Sequence, residues 1–226
     1  MTRKAMVFEI LLIAAALAAT AVLYPHFAAQ IPIHWNVHLQ PDSYMPRWGA
    51  YLLGPGVMTV VAALTRLLPW LSPKDFQVDS FRSTYRPLML FFFLLVSCIY
   101  AATLWAGLGH ITDAGRAIAA TYCLGFVYFG NALGKVRRNF FIGVITPWTL
   151  TNERVWYETH RFAAKVWLIV GLLGMVFVSF GFNVSLVVSL LIGYYGPKLY
   201  SLVMYKQMQR RGEIDNGLSR EQGEQV

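Results

Sequence analysis

The densest group of chemically capable side chains in this sequence lies in residues 130–161, between two strongly apolar segments. A polar group at membrane depth needs a hydrogen-bonding partner, so amides, hydroxyls, charges and indoles would not be this crowded in an ordinary connector. The segment therefore predicts a site. The candidate partner-binding or ligand-binding residues are Asn131, Lys135, Asn139, Thr146, Trp148, Glu153, Trp156, Thr159, His160 and Arg161.

Helical periodicity predicts how the first part of this segment is arranged. If the helix of the preceding span continues past the membrane, four polar side chains fall on one of its faces. Those four are Asn131, Lys135, Arg138 and Asn139. Gly143 and the Thr146-Pro147 pair would then end the helix.

A second, short helix is predicted directly afterwards. The Thr-Asn pair at 151–152 offers a good N-cap, and Glu153 in the first turn favours the positive end of the helix. Helical spacing then aims Glu153, Trp156 and His160 in one direction, with Arg161 on their flank.

Two interpretations of residues 130–161 stay open at this point. The functional one is a polar binding or signalling surface at the cytoplasmic mouth of a helical bundle. The structural one is an interfacial helix that Trp148 and Trp156 anchor at headgroup depth, with its polar side chains cross-linked. The cross-links would join Glu153, His160 and Arg161 to Asn131 and Lys135.

A smaller polar group lies in residues 25–48, where four prolines forbid a continuous helix. We expect a compact loop on the outer surface, with Trp35 and Trp48 in the headgroup layer. The candidate external residues are His34, Trp35, Asn36 and Asp42.

No metal site is expected in this loop. His34 and His38 have H-x-x-x-H spacing, but that spacing joins two imidazoles only on a helix, and no third ligand follows at a fixed offset. A hydrogen bond between His34 and Asp42 that fixes the loop is the favoured interpretation.

Residues 130–161 closely resemble the signature of the Sdp immunity-protein (SdpI) family of bacterial multi-pass membrane proteins. The family pattern runs G-N-x-x-G-K, then N, then G-x-R-T-P-W-T-L, then W-x-x-T-H-R. This sequence has GNALGK from Gly130, Asn139, GVITPWTL from Gly143 and WYETHR from Trp156. The one departure is Ile145, which stands where the family has arginine.

The N-terminal loop resembles a second module found in many proteins of this kind, an HWN-type domain of unknown function with the pattern P-x-H-W-N-x-x-G-x-P-D. The sequence matches it from Pro32 through Asn36 and again at Pro41-Asp42. Leu39 stands where that module has its glycine, so the turn is expected to be made in some other way.

The resemblance implies an immunity and signalling protein of the bacterial cytoplasmic (inner) membrane. Such a protein would confer resistance to a secreted, membrane-active peptide toxin outside and could hold a soluble transcriptional repressor at the membrane inside, without binding nucleic acid itself. The alternative is a small-molecule or lipid transporter, or a membrane enzyme, with its site at the signature. No enzyme fingerprint occurs in the sequence, so neither catalysis nor a cofactor is expected.

The elements that must position these residues are membrane helices. Apolar residues make up 57% of the 226-residue chain and charged residues 13%, about half the share usual in a soluble domain. Six apolar runs are long enough to cross a bilayer. We place them at about 6–24, 50–70, 87–108, 117–133, 163–182 and 184–205.

The distribution of positive charge predicts the orientation of these spans. Of 19 Lys and Arg residues, only Arg47 and Arg116 fall in the loops between spans one and two and between spans three and four. Because Lys and Arg are retained on the cytoplasmic side, both termini are predicted to be cytoplasmic. The net charge of +8 then describes a surface that faces anionic lipid, and a nucleic-acid partner is not required.

These observations give an all-α membrane bundle with five parts. They are a first helix with its external loop (1–48), helices two to four (49–129), the signature segment (130–161), a helical hairpin (162–205) and a polar tail (206–226).

Three details complete the expectations. Glu9, the only acid in a predicted span, would pair with Arg3 or Lys4 or reach water, and a proton relay is the alternative. Cys98 and Cys123 are interpreted as packing residues. The loop between spans two and three, residues 71–86, is expected to be solvated and without function.

Overall fold

The computed structural model describes residues 3–36, 38–181 and 183–214, apart from the side chains of residues 75 and 183–187. The polar-tail prediction for 215–226 lies outside this range. The elements are α1 (Arg3–Leu23), β1 (Gln30–Trp35), β2 (Pro41–Pro46), α2 (Val57–Leu71), α3 (Arg82–Gly107), α4 (Ile111–Leu133), α5 (Pro147–Thr151), α6 (Glu153–Ser179) and α7 (Asn183–Arg210).

The six long helices run alternately up and down one bundle. At one end, Gly107 of α3 lies against Ile31 of β1, and Leu39 clusters with Val178 of α6. We call this the hairpin end. At the other end lie the connector of residues 72–81 and the segment of residues 134–146, which leads into α5. We call this the signature end.

Among the described residues, four helical stretches are long and apolar enough to cross a membrane: Arg3–His26, Arg47–Leu71, Val78–Gly107 and Glu153–Ser179. Their large apolar side chains are often exposed, as Leu11 (62%) and Ile169 (56%) show, which suits a lipid environment rather than water. The prediction of an all-helical membrane bundle is confirmed at this level. The count of six crossings and the cytoplasmic position of both termini stay predictions.

Helices α4 and α6 approach each other closely through glycine. A Cβ on Gly130 would lie 2.8 Å from the backbone nitrogen of Leu168, and a Cβ on Gly171 would lie 2.7 Å from the carbonyl oxygen of Cys123. Small residues allow helix backbones in a membrane to come this near. The first glycine of the signature therefore serves helix packing.

Helix α7 contains Pro197, which removes the backbone donor that would bond to the carbonyl of Gly193. The indole Nε1 of Trp167 on α6 donates to that carbonyl at 2.8 Å. A neighbouring helix thus satisfies the acceptor that the proline leaves free, as a helix in a membrane requires.

The external loop was wrongly expected to lack regular structure. Residues 30–46 form an antiparallel two-stranded sheet in which Gln30 pairs with Pro46 and His34 pairs with Ser43. The prolines exclude a helix, as expected, but they are tolerated in a two-stranded sheet, because every strand there is an edge strand and one side of it forms no ladder.

Both cysteines are free thiols, but only one is a packing residue. Cys123 is buried in the cluster that holds Leu39 and Ala119, whereas Cys98 is exposed on the bundle surface. The packing interpretation is therefore wrong for Cys98.

Candidate functional site

The signature segment does not continue the preceding helix, so the predicted polar face on residues 131–139 is wrong. Helix α4 ends at Leu133, and the backbone turns as the N–H groups of Lys135 and Val136 donate to Ala132 and Leu133. Asn131 and Lys135 are exposed, whereas Asn139 is completely buried.

Asn139 holds the turn that replaces the expected helix. Its Nδ2 donates to the carbonyls of Arg137 (2.8 Å) and Ile142 (2.9 Å), and its Oδ1 accepts from the N–H groups of Phe141 (2.8 Å) and Ile142 (2.7 Å). A buried amide with both ends satisfied fixes the backbone around it. Asn139 therefore fixes the backbone conformation of the segment, and its side chain is not free to bind a ligand.

Trp156 is fully buried, so the prediction that it anchors the segment at headgroup depth is wrong. It packs with Tyr85 and Leu88 of α3, and its Nε1 donates to the carbonyl of Val136 at 2.8 Å. The indole joins α6 to the segment that follows α4. Trp148 is half-buried, and an interfacial role stays a prediction for it alone.

His160 lies one turn further along α6 and is 1% exposed. Its ring stacks on Trp156, with centroids 4.0 Å apart. Nε2 accepts the N–H of Val144 at 3.0 Å, so the ring proton sits on Nδ1, which donates to the carbonyl of Trp156 at 2.7 Å. This neutral imidazole has both nitrogens occupied.

Gly143 makes this arrangement possible. Its φ of +127° is a conformation that favours glycine, and a Cβ there would lie 2.2 Å from the His160 Nε2. The glycine and the histidine of the signature are therefore one structural unit.

The Thr-Pro-Trp-Thr run forms the short helix α5 with a reciprocal cap. The Thr146 side chain accepts from the N–H of Thr149, and the Thr149 hydroxyl accepts from the N–H of Thr146. Pro147 occupies the first helical position, where its missing donor costs nothing. The Thr146 hydroxyl also lies 3.1 Å from that of Ser201 on α7.

Thr149 and Ser201 belong to this structure but were not among the candidate site residues. The signature contains Thr149 as its second threonine, so that residue could have been found. No pattern in the sequence marks Ser201, because its role depends on how α7 packs against α5.

Asn152 caps α6, as predicted, by accepting from the N–H of Val155 at 3.1 Å. The predicted single surface of Glu153, Trp156 and His160 is wrong, because α6 runs without interruption to Ser179 and buries the two rings while Glu153 stays exposed. Arg161 is exposed as well.

The predicted cross-links are also absent. Within the described ranges, no ion pair or side-chain hydrogen bond joins the exposed residues of the signature to one another. These exposed residues are Asn131, Lys135, Glu153 and Arg161. Thr159 is completely buried and its Oγ1 has no hydrogen-bond partner among the described atoms.

The connector between α2 and α3 contacts the signature segment, contrary to the expectation of a purely solvated loop. The Arg138 guanidinium lies 5.0 Å from the ring centroid of Phe76 and donates to the Leu150 carbonyl at 3.0 Å. The Phe76 ring also packs against Phe140. The signature end is therefore closed by two loops that support each other.

At the hairpin end the predicted bond between His34 and Asp42 is confirmed, with Nδ1 and Oδ1 2.5 Å apart. Asn36 shapes the turn, because its Oδ1 accepts from the N–H groups of His38 (2.8 Å) and Gln40 (3.1 Å). In the part of the chain described, no group of three or more His, Cys, Asp or Glu residues is placed to hold a metal ion.

Leu39 makes the turn at the position where the resembling module has its glycine. It adopts φ +56° itself, so the expectation of a different turn is wrong. Its side chain packs against Ala119 and Val178, and a Cβ on Gly115 of α4 would lie 2.9 Å from its carbonyl oxygen. The turn thus inserts between helices, and apolar burial offsets the backbone strain.

Trp35 was expected in the headgroup layer but is half-buried against α4, near Gly115. Its Nε1 is buried and has no acceptor among the described residues. Trp48, which is 53% exposed, suits the interfacial position predicted for it.

Glu9 pairs with neither Arg3 nor Lys4. It is 1% exposed, and its Oε2 accepts from Nη2 of Arg66 on α2 at 2.7 Å. The pairing partner comes from the next helix, which sequence spacing alone does not reveal.

Two sequence models match separate parts of the chain. A sequence model of the SdpI/YfhL protein family matches residues 135–201, and one of a domain of unknown function (DUF1648) matches residues 11–59. The chain is 26% identical over 168 residues to the immunity protein SdpI of Bacillus subtilis (strain 168), covering 74% of this chain and 78% of that protein. No solved structure matches. The SdpI/YfhL match includes the buried histidine unit and the threonine-capped helix, so this part of the chain is similar to the SdpI/YfhL protein family.

Proposed function

We propose that this protein is an immunity protein of the bacterial cytoplasmic membrane, which protects the cell from a secreted, membrane-active peptide toxin. The observation that carries the proposal is the similarity to the immunity protein SdpI over 74% of the chain. With the predicted orientation, the hairpin end faces outward and meets a peptide arriving from outside.

The signature end supports a second, signalling role. Its interior is locked by the bonds of Asn139, Trp156 and His160, so it is a rigid platform rather than a reactive centre. Lys135, Glu153 and Arg161 stand exposed on this platform and are free of ion pairs within the described chain. A soluble repressor that docks at the membrane would contact this exposed set.

The alternative of a transporter or enzyme at the signature has less support. Both nitrogens of His160 are occupied by backbone groups, and Glu153 is exposed instead of facing the imidazole. A general acid or base must reach the group whose proton it moves. The buried imidazole and the exposed carboxylate do not form such a pair.

The direct test compares the survival of sensitive bacteria that do and do not produce this protein, under challenge with a membrane-active peptide toxin of the kind that the Bacillus subtilis immunity protein opposes. We expect survival to rise with the protein. Gly134→Ala, at an open position, is the matched control for expression, because a Cβ there meets nothing within 4 Å. Equal killing at equal membrane levels would refute the proposal.

A further inference from the structure

A cavity of about 850 Å³ lies at the hairpin end, between the β-hairpin and helices α2, α3, α4 and α7. Pockets of roughly 300–1,000 Å³ hold ligands of drug size or a few peptide residues. Most of its wall is aliphatic, including Leu39, Val57, Ile99 and Ala119. The space is therefore suited to an apolar body rather than to a solvated polar one.

Two hydroxyl groups in this wall already have hydrogen-bond partners, and one buried donor beside it has none. The Tyr100 hydroxyl is bonded to Thr20, and the Thr103 hydroxyl donates to the Ile99 carbonyl. The Trp35 Nε1 is buried and has no acceptor among the residues that the structure describes. An unpaired buried donor is costly, so a ligand that brings a carbonyl oxygen gains by meeting it.

The charge of the wall restricts the ligand further. Asp42 lines the cavity, and its side chain is 42% exposed. The side chain of His34, which is bonded to Asp42, is 66% exposed. The Asp42 carboxylate is hydrogen-bonded to His34 and has no Lys or Arg beside it in the described lining. Its negative charge repels phosphate groups and attracts an amine, so the site disfavours anionic lipid.

We infer that this cavity binds an apolar peptide segment that carries a positively charged amine. The apolar side chains fill the space between the helices, a backbone carbonyl accepts from Trp35, and the amine lies against Asp42. This inference rests on the proposed function for its biological setting, in which such a segment belongs to the incoming toxin. The binding itself can be measured without any toxin.

The test uses the full-length protein in phosphatidylcholine nanodiscs, with empty nanodiscs as background. The probe is a six-residue peptide of leucine and valine with a free N-terminal amine and a C-terminal fluorophore on an amide. Its N-acetylated form is the matched control. Fluorescence anisotropy gives the dissociation constants, and we expect the free amine to bind about tenfold more tightly.

Three variants assign the binding to the cavity. Ala119→Phe fills the space and should weaken binding at least about tenfold, whereas Ala117→Phe, an exposed position on the same helix, should leave it unchanged. Trp35→Phe retains the ring but removes the donor and should weaken binding by about fivefold to tenfold. Asp42→Asn should remove the preference for the amine.

Equal binding by wild type, Ala119→Phe and Trp35→Phe would overturn the inference, as would the absence of binding. Displacement of the peptide by phosphatidylethanolamine at membrane concentrations would assign the cavity to lipid and overturn it as well. Survival under toxin separates the two proposals. Cavity binding without protection refutes immunity alone, whereas protection without any binding of the peptide refutes the cavity inference alone.

Discussion

Several polar residues at the signature end stabilise the fold by bonding to the backbone. Asn139, Trp156 and the Nε2 of His160 bond to the backbone of residues 136–144, and all three residues are buried. Their presence in a site could be predicted from the sequence, because such residues need partners beside a membrane. Their burial could not, because it depends on where α4 ends.

The first prediction concerns the glycine that faces the buried imidazole. Gly143→Ala should lower the free energy of unfolding by roughly 3 kcal/mol, because it forces a Cβ both into an unfavourable φ and into the His160 ring. Thermal unfolding in detergent measures the change. Gly134→Ala is the control and should have little effect, and equal destabilisation by the two substitutions would contradict the role given to Gly143.

The second prediction compares two tryptophans of the signature. Trp156→Phe leaves the buried Val136 carbonyl without its donor and should cost about 1–3 kcal/mol. Trp148→Phe should cost less, because Trp148 is only half-buried and no described hydrogen bond depends on its indole. Chemical unfolding of the two variants in the same detergent decides the order, and a larger loss for Trp148→Phe would reverse our interpretation.

At the level of elements, apolar runs predicted the helices well and their ends poorly. The N-cap Asn152 was found from its type, but α4 stops at Leu133 and the chain then turns around Asn139, whose local side-chain-to-backbone bonds hydrophobic periodicity does not detect. The hairpin was missed for a related reason. Pro32, Pro41 and Pro46 argue against a continuous helix and suggested a loop, yet a two-stranded sheet accepts them at its edges.

The third prediction tests the balance of strain and burial in the hairpin turn. Leu39→Gly relieves a left-handed φ, which is worth about 1 kcal/mol, but it removes a buried leucine, which is worth about 2–5 kcal/mol. The free energy of unfolding should therefore fall. A more stable glycine variant in a thermal unfolding assay would show that strain outweighs packing here.

At the scale of the whole molecule, two polar ends are separated by one apolar bundle. The hairpin end presents His34 and Asp42, and the signature end presents Lys135 and Arg161. A hydrocarbon layer about 30 Å thick would lie between them, so one soluble partner cannot contact both. The separation could be predicted from the alternation of spans and loops.

The fourth prediction concerns orientation. Reporters fused within residues 25–48 should be detected outside the cell, and reporters fused after Lys74, Arg154 or Arg211 should be detected inside, because Lys and Arg concentrate on the cytoplasmic side. Paired alkaline phosphatase and fluorescent-protein fusions give the measurement. An outside signal after Arg154 would place the signature end in the path of the toxin.

The most direct test is a paired assay of survival under toxin and of repressor-controlled reporter output, in cells that produce wild type, Arg161→Glu or His34→Ala at equal levels. We predict that Arg161→Glu loses reporter output and keeps protection, because it reverses an exposed charge at the signature end. His34→Ala should lose protection and keep reporter output, because it removes the partner of Asp42. If both variants lose both outputs, the two ends are not separate surfaces and the account is wrong.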